Sequence, residues 1–439
     1  MSGYENVKER ALDKTTIEQK VEGKALENEA PAAPVRLPAW RSILRTLLIP
    51  ALAVFTGLVI GAIVIVITDA TVVGAFRNLF RAPGTALLAT WQSVRTAYGA
   101  LFEGSLGNPA EVYQGIRVYL ASGNSELLVD ALWPITESLV ASTPYIFAGL
   151  GVALGFRCGL FNIGAEGQFF IGALCSAWVD YTFTGIPWFI HLPLAILAGA
   201  LGGAFWGAIP GYLKATTGGH EVVNTIMMNW IAFRLSDWLL NGPMKAPGYR
   251  PLTPQIEATA ELPRLFPPPL RFHAGFFLAL AVAAVVYWFL FKTTLGFEIR
   301  TVGANPDAAR YAGMNITWNF ILAMTLSGAL AGLAGASQVL GTDHWVGQGF
   351  SAGYGFDAIA LALVGKSHPV GVVLAALLFG TLRSGATRMQ SLAGIPVDII
   401  SIIQGLVIVF VAAPAIIRWL YRIRAVRAEE IVLTRGWGS

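Results

Sequence analysis

The chain has 439 residues, of which 55% are hydrophobic and only 13% are charged, and its mean hydropathy is +0.60. Soluble domains carry about a quarter charged residues, so the composition excludes a soluble domain and predicts an all-α integral membrane protein. The net charge of +4, without a basic and aromatic array, excludes a nucleic-acid surface. The two cysteines, Cys158 and Cys175, offer neither a disulfide framework nor a zinc spacing.

The apolar sequence begins only after a long polar stretch. Acidic and basic side chains nearly balance in residues 1–43, and a cleavable signal peptide would place its apolar region much earlier. We therefore expect residues 1–43 to be a polar cytoplasmic N-terminal tail, 44–420 the transmembrane domain and 421–439 a basic cytoplasmic tail. Arginines flank both ends of the transmembrane domain, which places both termini in the cytoplasm by the positive-inside rule.

Hydrophobic runs long enough to span a bilayer follow one another along the chain. They cover about 47–68, 132–156, 160–181, 192–213, 222–240, 276–291, 318–340 and 397–420. Between the first two runs, residues 69–127 are amphipathic and interrupted by arginines, which predicts helices that do not cross the membrane. The fourth run carries a stripe of small residues that indicates close helix packing: Gly199, Gly203, Gly207 and Gly211.

The spanning pattern changes after residue 340. The apolar run 356–365 has about half of the ~20 residues that a span requires. Polar residues at 366–369 interrupt it before apolar sequence resumes to about 382. This pattern predicts a broken or re-entrant pair of half-helices, which is tolerated only where protein or a water-filled cavity surrounds the backbone. Because both termini are expected inside, the number of crossings is even, and we predict about ten transmembrane segments.

A short charged helix is predicted at 303–313, between two of the long runs. Asn305 is a good N-cap, and Pro306 suits the first helical position, where no N–H is required. Asp307 places a negative charge at the positive end of the dipole, and Gly313 can adopt the left-handed conformation that ends a helix. Such a helix is either a handle for another protein or an ordinary structured loop. The predicted orientation places it on the cytoplasmic side, which favours the handle.

Polar side chains inside two of the apolar runs are candidates for a substrate pathway, since a buried carboxylate in a membrane is costly unless it is paired or wet. These candidates are Asn162, Glu166, Gln168, Glu221, Asn224 and Asn229. The first three either cap and pack their helix, or face a polar cavity or hold a gate. The last three either bond to a neighbouring helix or line the pathway.

No catalytic or metal site is predicted in this chain. Residues 360–367 resemble the end of a phosphate-binding loop, but the first glycine is missing and the run is apolar. The stretch 220–224 has Asn224 where a zinc-protease helix requires its second histidine. We therefore expect no enzymatic activity, no cofactor and no metal in the chain itself, and any nucleotide would bind to another chain.

Three motifs stand in order along the chain. Residues 160–168 read LFNIGAEGQ, residues 221–229 read EVVNTIMMN, and residues 303–313 read GANPDAARYAG. In these motifs the chain resembles permease subunits of bacterial ABC importers, in the group of branched-chain amino acid, ribose and simple-sugar permeases. The NIGAEGQ form of the first motif is most similar to nucleoside importers that work with a lipoprotein-type binding protein. The resemblance covers about residues 45–420.

The resemblance implies that this chain works in a complex with several other protein chains. Segment 303–313, including Arg310 and Tyr311, would be the coupling helix that docks onto a separate ATPase subunit carrying ATP and Mg. Two permease subunits, identical or homologous, would form the pore among the lipids of the bacterial cytoplasmic (inner) membrane. A substrate-binding lipoprotein would deliver a nucleoside or a simple sugar. The alternative is an ion-coupled secondary transporter, although no charged pair recurs in two matching halves.

Overall fold

The computed structural model describes residues 39–423, with side chains described from Leu48 onward except at Ala412. The expectations for 1–38 and 424–439 lie outside these described residues. The chain divides into two units at Leu48 and Ile49. The first unit contributes only the opening turns of one helix to the described range, and all that follows concerns the second unit.

All regular structure in the described range is helical, apart from two isolated β-bridges. The first eight helices are α1 (Ala39–Thr68), α2 (Ala70–Phe76), α3 (Pro83–Leu106), α4 (Pro109–Ser122), α5 (Glu126–Arg157), α6 (Ala165–Thr182), α7 (Trp188–Thr217) and α8 (Glu221–Asn241). The next four are α9 (Gly275–Lys292), α10 (Thr294–Ala304), α11 (Pro306–Tyr311) and α12 (Ile316–Gln338), which continues into a π-helical turn, Val339–Asp343. The last four are α13 (Tyr354–Val364), α14 (Pro369–Ala393), α15 (Asp398–Ala412) and α16 (Pro414–Leu420).

Several of these helices are long and apolar enough to cross a membrane, which makes the chain a multi-pass membrane protein. Six meet this requirement by themselves within the described range: α1, α5, α7, α9, α12 with its π turn, and α14. Counting the bent pair α15 and α16 as one span makes seven. The helices α6 and α8, which the sequence predicts to be spans, are not among them, because polar and charged residues dilute their apolar sequence.

The glycine stripe of α7 packs directly against α12, as its spacing predicts. A Cβ atom at Gly203 would lie 2.6 Å from the Cα of Gly332 and would collide with the carbonyl of Gly328. Backbones approach this closely only where both helices present small residues. The α7–α12 contact therefore fixes α12 in place, and the polar segment before α6 bonds to α12 at Ser327.

The amphipathic stretch between the first two long spans forms α2, α3 and α4, as predicted. None of the three is among the candidate spans. Helix α3 packs on α14, where Gly385 meets the carbonyl of Leu101, and on α5, where the Ser138 hydroxyl donates to the carbonyl of Ser105 at 2.8 Å.

The predicted break after residue 365 is present, since α13 ends at Val364 and α14 begins at Pro369. The predicted pair of half-helices is not formed, however, because α14 is long and apolar enough to cross a membrane by itself and only α13 is short. Helix α14 continues to Ala393, eleven residues beyond the expected end, and Gly394 closes it with φ 66°. The final run, predicted as one helix over 397–420, is instead α15 and α16, bent by 89°. The bend lies at Pro414, which lacks an N–H and disfavours helical geometry in the residue before it.

Candidate functional site

The third apolar run begins at about residue 160, but its helix, α6, begins only at Ala165. Residues 160–164 form a non-helical segment before it. The fully buried Asn162 organises this non-helical segment. Its Oδ1 accepts from the backbone N–H of Gly164 at 2.9 Å. Its Nδ2 donates to Gln168 Oε1 and to Ser327 Oγ, both at 2.8 Å. The first turn of α6 is thereby fixed to α12 by side chains that have no contact with solvent.

Glu166 caps the N-terminus of a different helix. One of its carboxylate oxygens, Oε2, accepts from the backbone N–H groups of Gly355 at 2.6 Å and Phe356 at 3.3 Å. The other, Oε1, accepts from the hydroxyl of Ser351. Glu166 is only 3% exposed, so these bonds replace water around the carboxylate. A negative group at the positive end of α13 is stabilised further by the helix dipole.

A second cap connects α8 to α6. The backbone N–H of Gly167 donates to Asn229 Oδ1 at 2.8 Å, and Asn229 Nδ2 donates to the carbonyl of Ile163 at 2.9 Å. Asn229 is buried. Two helices thus begin inside the protein, and each is capped by a side chain from another helix: α8 caps α6, and α6 caps α13.

The structure brings together Asn162, Glu166, Gln168 and Asn229, but not the remaining two candidates. Glu221 forms an ion pair with Lys214 Nζ at 2.9 Å, which joins the ends of α7 and α8. Asn224 is half-buried on the first turn of α8, close to Gly219. Both lie more than one helical turn before Asn229.

A pocket of about 340 Å³ opens between α6, α8 and residues 348–353, with Glu166 in its lining. The rings of Phe170 and Phe233 lie edge to face there, with centroids 5.5 Å apart. Asp237 accepts from Gln348 Nε2 at 3.1 Å. An apolar wall with a few convergent polar groups, in a volume of this order, is typical of small-molecule sites.

Of the side chains that line this pocket, only Glu166 was a candidate from the sequence. Asp237 is an acidic residue inside a predicted span, and that property alone could have identified it. No sequence signal distinguishes Phe170 or Phe233 from ordinary lipid-facing or core aromatics, since only the packing of α6 against α8 brings them together.

A charged cluster lies on the other side of residues 351–357. Arg383 on α14 donates to Tyr145 Oη at 2.8 Å, and Tyr145 donates to Asp357 Oδ2 at 2.7 Å. Arg383 also donates to the carbonyl of Ala352 at 3.3 Å, and its guanidinium lies 4.3 Å from the ring centroid of Tyr354. The segment that begins α13 is therefore held by Glu166 on one side and by Arg383 on the other.

The segment between α8 and α9 bears a further ion pair. Arg271 donates to both carboxylate oxygens of Glu137, with one of the two bonds at 3.1 Å. These hydrogen bonds raise the pKa of Arg271 above its ordinary value. Among the described residues, no three His, Cys, Asp or Glu side chains come together in a way that would hold a metal ion.

The short charged helix is α11, and its predicted capping is confirmed. Asn305 Oδ1 accepts from the N–H groups of Asp307 at 3.0 Å and Ala308 at 3.1 Å, and Pro306 occupies the first position. Gly313 follows with φ 81°. Ala309 alone is buried in α11, whereas Asp307 and Arg310 are exposed and Tyr311 is 98% exposed. The helix therefore presents a free, charged face.

Comparison with known proteins identifies the family. Residues 135–412 match the family described as the permease component of the branched-chain amino acid transport system. The guanosine ABC transporter permease of Bacillus subtilis is 38% identical over 380 residues, 85% of this chain and 95% of that protein. The glucose ABC transporter permease of Haloferax volcanii is 38% identical over 286 residues, 63% of this chain and 75% of that protein.

The nucleoside ABC transporter permease of Lactococcus lactis is 35% identical over 327 residues, 72% of this chain and 90% of that protein. No solved structure matches the chain. The relatives are named as ABC transporter permeases, and none of these findings supports the ion-coupled alternative. The half-helix α13, the capped exposed helix α11 and the multi-pass architecture thus belong to a member of the branched-chain amino acid transport system permease family.

Proposed function

We propose that the chain is one transmembrane permease subunit of an ATP-driven importer of nucleosides. It contains no cofactor of its own, and a separate ATPase subunit binds ATP and Mg and hydrolyses the nucleotide. The names of two of the relatives support nucleosides as the cargo, and the glucose permease makes a simple sugar the second candidate.

The observation that carries this proposal is the exposed face of α11. A six-residue helix is too short to be stable in isolation, yet this one is capped at both ends and buries only Ala309. Its proposed role is that of the coupling helix, on the cytoplasmic side, which docks onto the ATPase. The residues that would take part are Asn305, Pro306, Asp307, Arg310, Tyr311 and Gly313.

The pocket beside Glu166 is the proposed substrate site. A nucleoside offers a flat base and a ribose with hydroxyl groups. The rings of Phe170 and Phe233 would contact the base, and stacking of this kind contributes about 1–3 kcal/mol per base. Asp237 and Gln348 would accept and donate hydrogen bonds to the ribose. Asn162, Gln168 and Asn229 would hold the walls in place, whereas Glu221 and Asn224 would lie farther along the route.

Ten crossings and two cytoplasmic termini are the proposed topology. The six long helices and the bent pair α15–α16 provide seven segments. We add α6, α8 and the half-helix α13, because their polar residues are paired in the interior, where the family's motifs lie. These polar contacts would make each segment acceptable at membrane depth.

The proposed partners are an ABC ATPase, a second permease and a substrate-binding lipoprotein, assembled in the bacterial cytoplasmic membrane. Lactococcus lactis has two nucleoside permeases among the relatives, which supports a pair of homologous subunits over a pair of identical ones. We propose that the binding protein delivers substrate from outside and that ATP-driven closure of the ATPases alternates the exposure of the pocket.

The decisive experiment is uptake by the assembled transporter in liposomes with ATP inside. The double variant Arg310→Ala/Tyr311→Ala should uncouple ATP hydrolysis from uptake, because the partner loses its contact with α11. The matched control is Tyr113→Ala/Arg117→Ala, which removes the same two residue types from the exposed face of α4. Unimpaired uptake by the α11 variant, or uptake driven by an ion gradient without the ATPase, would contradict the proposal.

A further inference from the structure

The half-helix α13 is attached at both of its ends. At its C-terminus, the turn that leads to α14 is hydrogen-bonded to Arg157, the last residue of α5. Arg157 Nε donates to the carbonyl of Ser367 at 2.8 Å, and Nη2 donates to the carbonyl of Lys366 at 3.4 Å. A forked guanidinium that reaches two successive carbonyls holds a turn more firmly than a single donor does.

The turn that Arg157 grips is itself strained. Lys366 and Ser367 have φ values of 52° and 50°, in the left-handed region that non-glycine residues avoid. Beside them, Gly365 and Gly371 approach so closely that a Cβ atom at either would collide with the backbone of the other segment. A strained turn persists only where its surroundings determine its shape, and the two Arg157 hydrogen bonds are the contacts that fix its carbonyls.

The same arginine lies against the segment that leads into α11. A Cβ atom at Gly303, near the end of α10, would collide with the backbone carbonyl of Arg157, so the two backbones touch. The ring of Phe291 connects the same region, since the guanidinium of Arg157 lies 5.5 Å and that of Arg300 5.1 Å from its centroid. A displacement of α10, which is joined to α11 at Asn305, would therefore act directly on the backbone of Arg157.

At its other end, α13 begins in the pocket. The N–H groups of Gly355 and Phe356 are bonded to Glu166, and Ser351 bonds to the same carboxylate. Helix α13 has only 11 residues and no internal proline or glycine beyond Gly355. Such a helix transmits a displacement as one rigid element, because bending it would break its hydrogen-bond ladder.

From these contacts we infer that Arg157 is the positioning residue that transmits movement of α11 to the substrate pocket, with α13 acting as the rod between them. When the proposed ATPase moves α11, Arg157 carries the Lys366–Ser367 turn with it. The N-terminus of α13 then shifts relative to Glu166, and the shape of the pocket changes. The inference rests on the proposed function, since it assumes that α11 is the coupling helix.

The test compares ATP hydrolysis and substrate uptake in the same liposomes, with the complete transporter. Arg157→Gln removes the forked donor, and we expect uptake per ATP hydrolysed to fall about tenfold, within the range typical of coupling between sites. Arg157→Lys keeps the charge and one donor, so an intermediate loss is expected, and it provides a folded protein if the glutamine variant does not assemble.

The matched control is Arg77→Gln, which makes the same change on an exposed arginine after α2 that lies outside the path from α11 to the pocket. Its uptake per ATP should stay within about twofold of the unaltered protein, as for an ordinary surface change. A ratio in both Arg157 variants equal to that of the control would overturn the inference. If the Arg310→Ala/Tyr311→Ala variant uncouples hydrolysis from uptake and the Arg157 variants do not, the role of Arg157 and α13 is refuted but the proposed function stands. If none of these variants uncouples, both the inference and the proposed function are refuted.

Discussion

At the residue scale, buried side chains form hydrogen bonds with backbone groups of other helices, in places where water would otherwise bind. Local capping was predictable from sequence, as Asn305 demonstrates, because the cap and its partners lie within three residues. The caps from Glu166 and Asn229 were not, since their partners lie 189 and 62 positions away. The sequence placed both residues in apolar runs and left open whether they face a cavity or pack; no local pattern specifies a distant N–H group.

The cap on α13 leads to an ordered pair of predictions for stability. Glu166→Ala should leave the N–H groups of Gly355 and Phe356 unsatisfied in a buried place, at a cost of about 1–3 kcal/mol for each. Glu166→Gln retains one acceptor oxygen for these groups and a donor toward Ser351, so about 1 kcal/mol or less should be lost with the charge.

The measurement is the thermal unfolding of the detergent-solubilised protein. The midpoint should decrease in the order unaltered protein, Glu166→Gln, Glu166→Ala. An alanine variant as stable as the unaltered protein would contradict the capping role. A glutamine variant as unstable as the alanine variant would indicate that the charge, rather than the acceptor geometry, carries the effect.

At the element scale, the hydrophobic runs predicted that the long helices exist. The positions at which the helices end or bend depend on contacts between distant residues, which the runs do not show. The sequence predicted the break between α13 and α14 because polar residues interrupt the apolar run. It placed the start of α6 at 160, since hydrophobicity does not reveal that Asn162 fixes a non-helical segment there. The proline at position 414 could have predicted the bend, but the apolar run continues across it, and we predicted one helix.

The α7–α12 contact can be tested by adding one methyl group. Gly203→Ala places a Cβ against Gly328 and Gly332, which must move apart, and overpacking of this kind costs about 1–3 kcal/mol. Gly99→Ala on α3 is the control, because a Cβ there meets nothing within 4 Å. The control should be neutral or stabilising by up to about 1 kcal/mol. Equal thermal midpoints for the two variants would argue against close backbone packing.

At the scale of the whole molecule, the family and the multi-pass character were predictable because three motifs and the composition carry them. The pocket was not, since it forms between α6, α8 and a segment that follows α12. Its lining comes from residues 166 to 353, so only the assembled chain defines it. One motif carried the expectation of nucleosides, whereas the pocket that we propose as the substrate site could not be derived from any motif.

The two aromatic rings provide a test of that choice. Phe233→Ala should weaken uptake of a nucleoside by about fivefold or more, because a stacking contact of ~1–3 kcal/mol is lost. Uptake of glucose, if it occurs, should change less, since a sugar presents no aromatic face. Trp238→Ala, which is 62% exposed on the same helix and lies outside the pocket lining, is the control. An equal loss for both substrates would favour a purely structural role for Phe233.

The pair of internal caps has an electrostatic consequence for the cargo. A free helix N-terminus attracts anions, but the N–H group of Gly167 in α6 is already bonded to Asn229, and those of Gly355 and Phe356 in α13 are bonded to Glu166. The pocket lining contributes two carboxyl groups, from Glu166 and Asp237, and no lysine or arginine among its described residues. The two arginines that bond to lining residues, Arg234 and Arg383, are already engaged with Asp237 at 3.5 Å and with the carbonyl of Ala352 at 3.3 Å. A phosphorylated nucleoside would therefore meet the carboxyl groups without an unpaired cation, and we expect the route to discriminate against nucleotides while admitting their dephosphorylated counterparts.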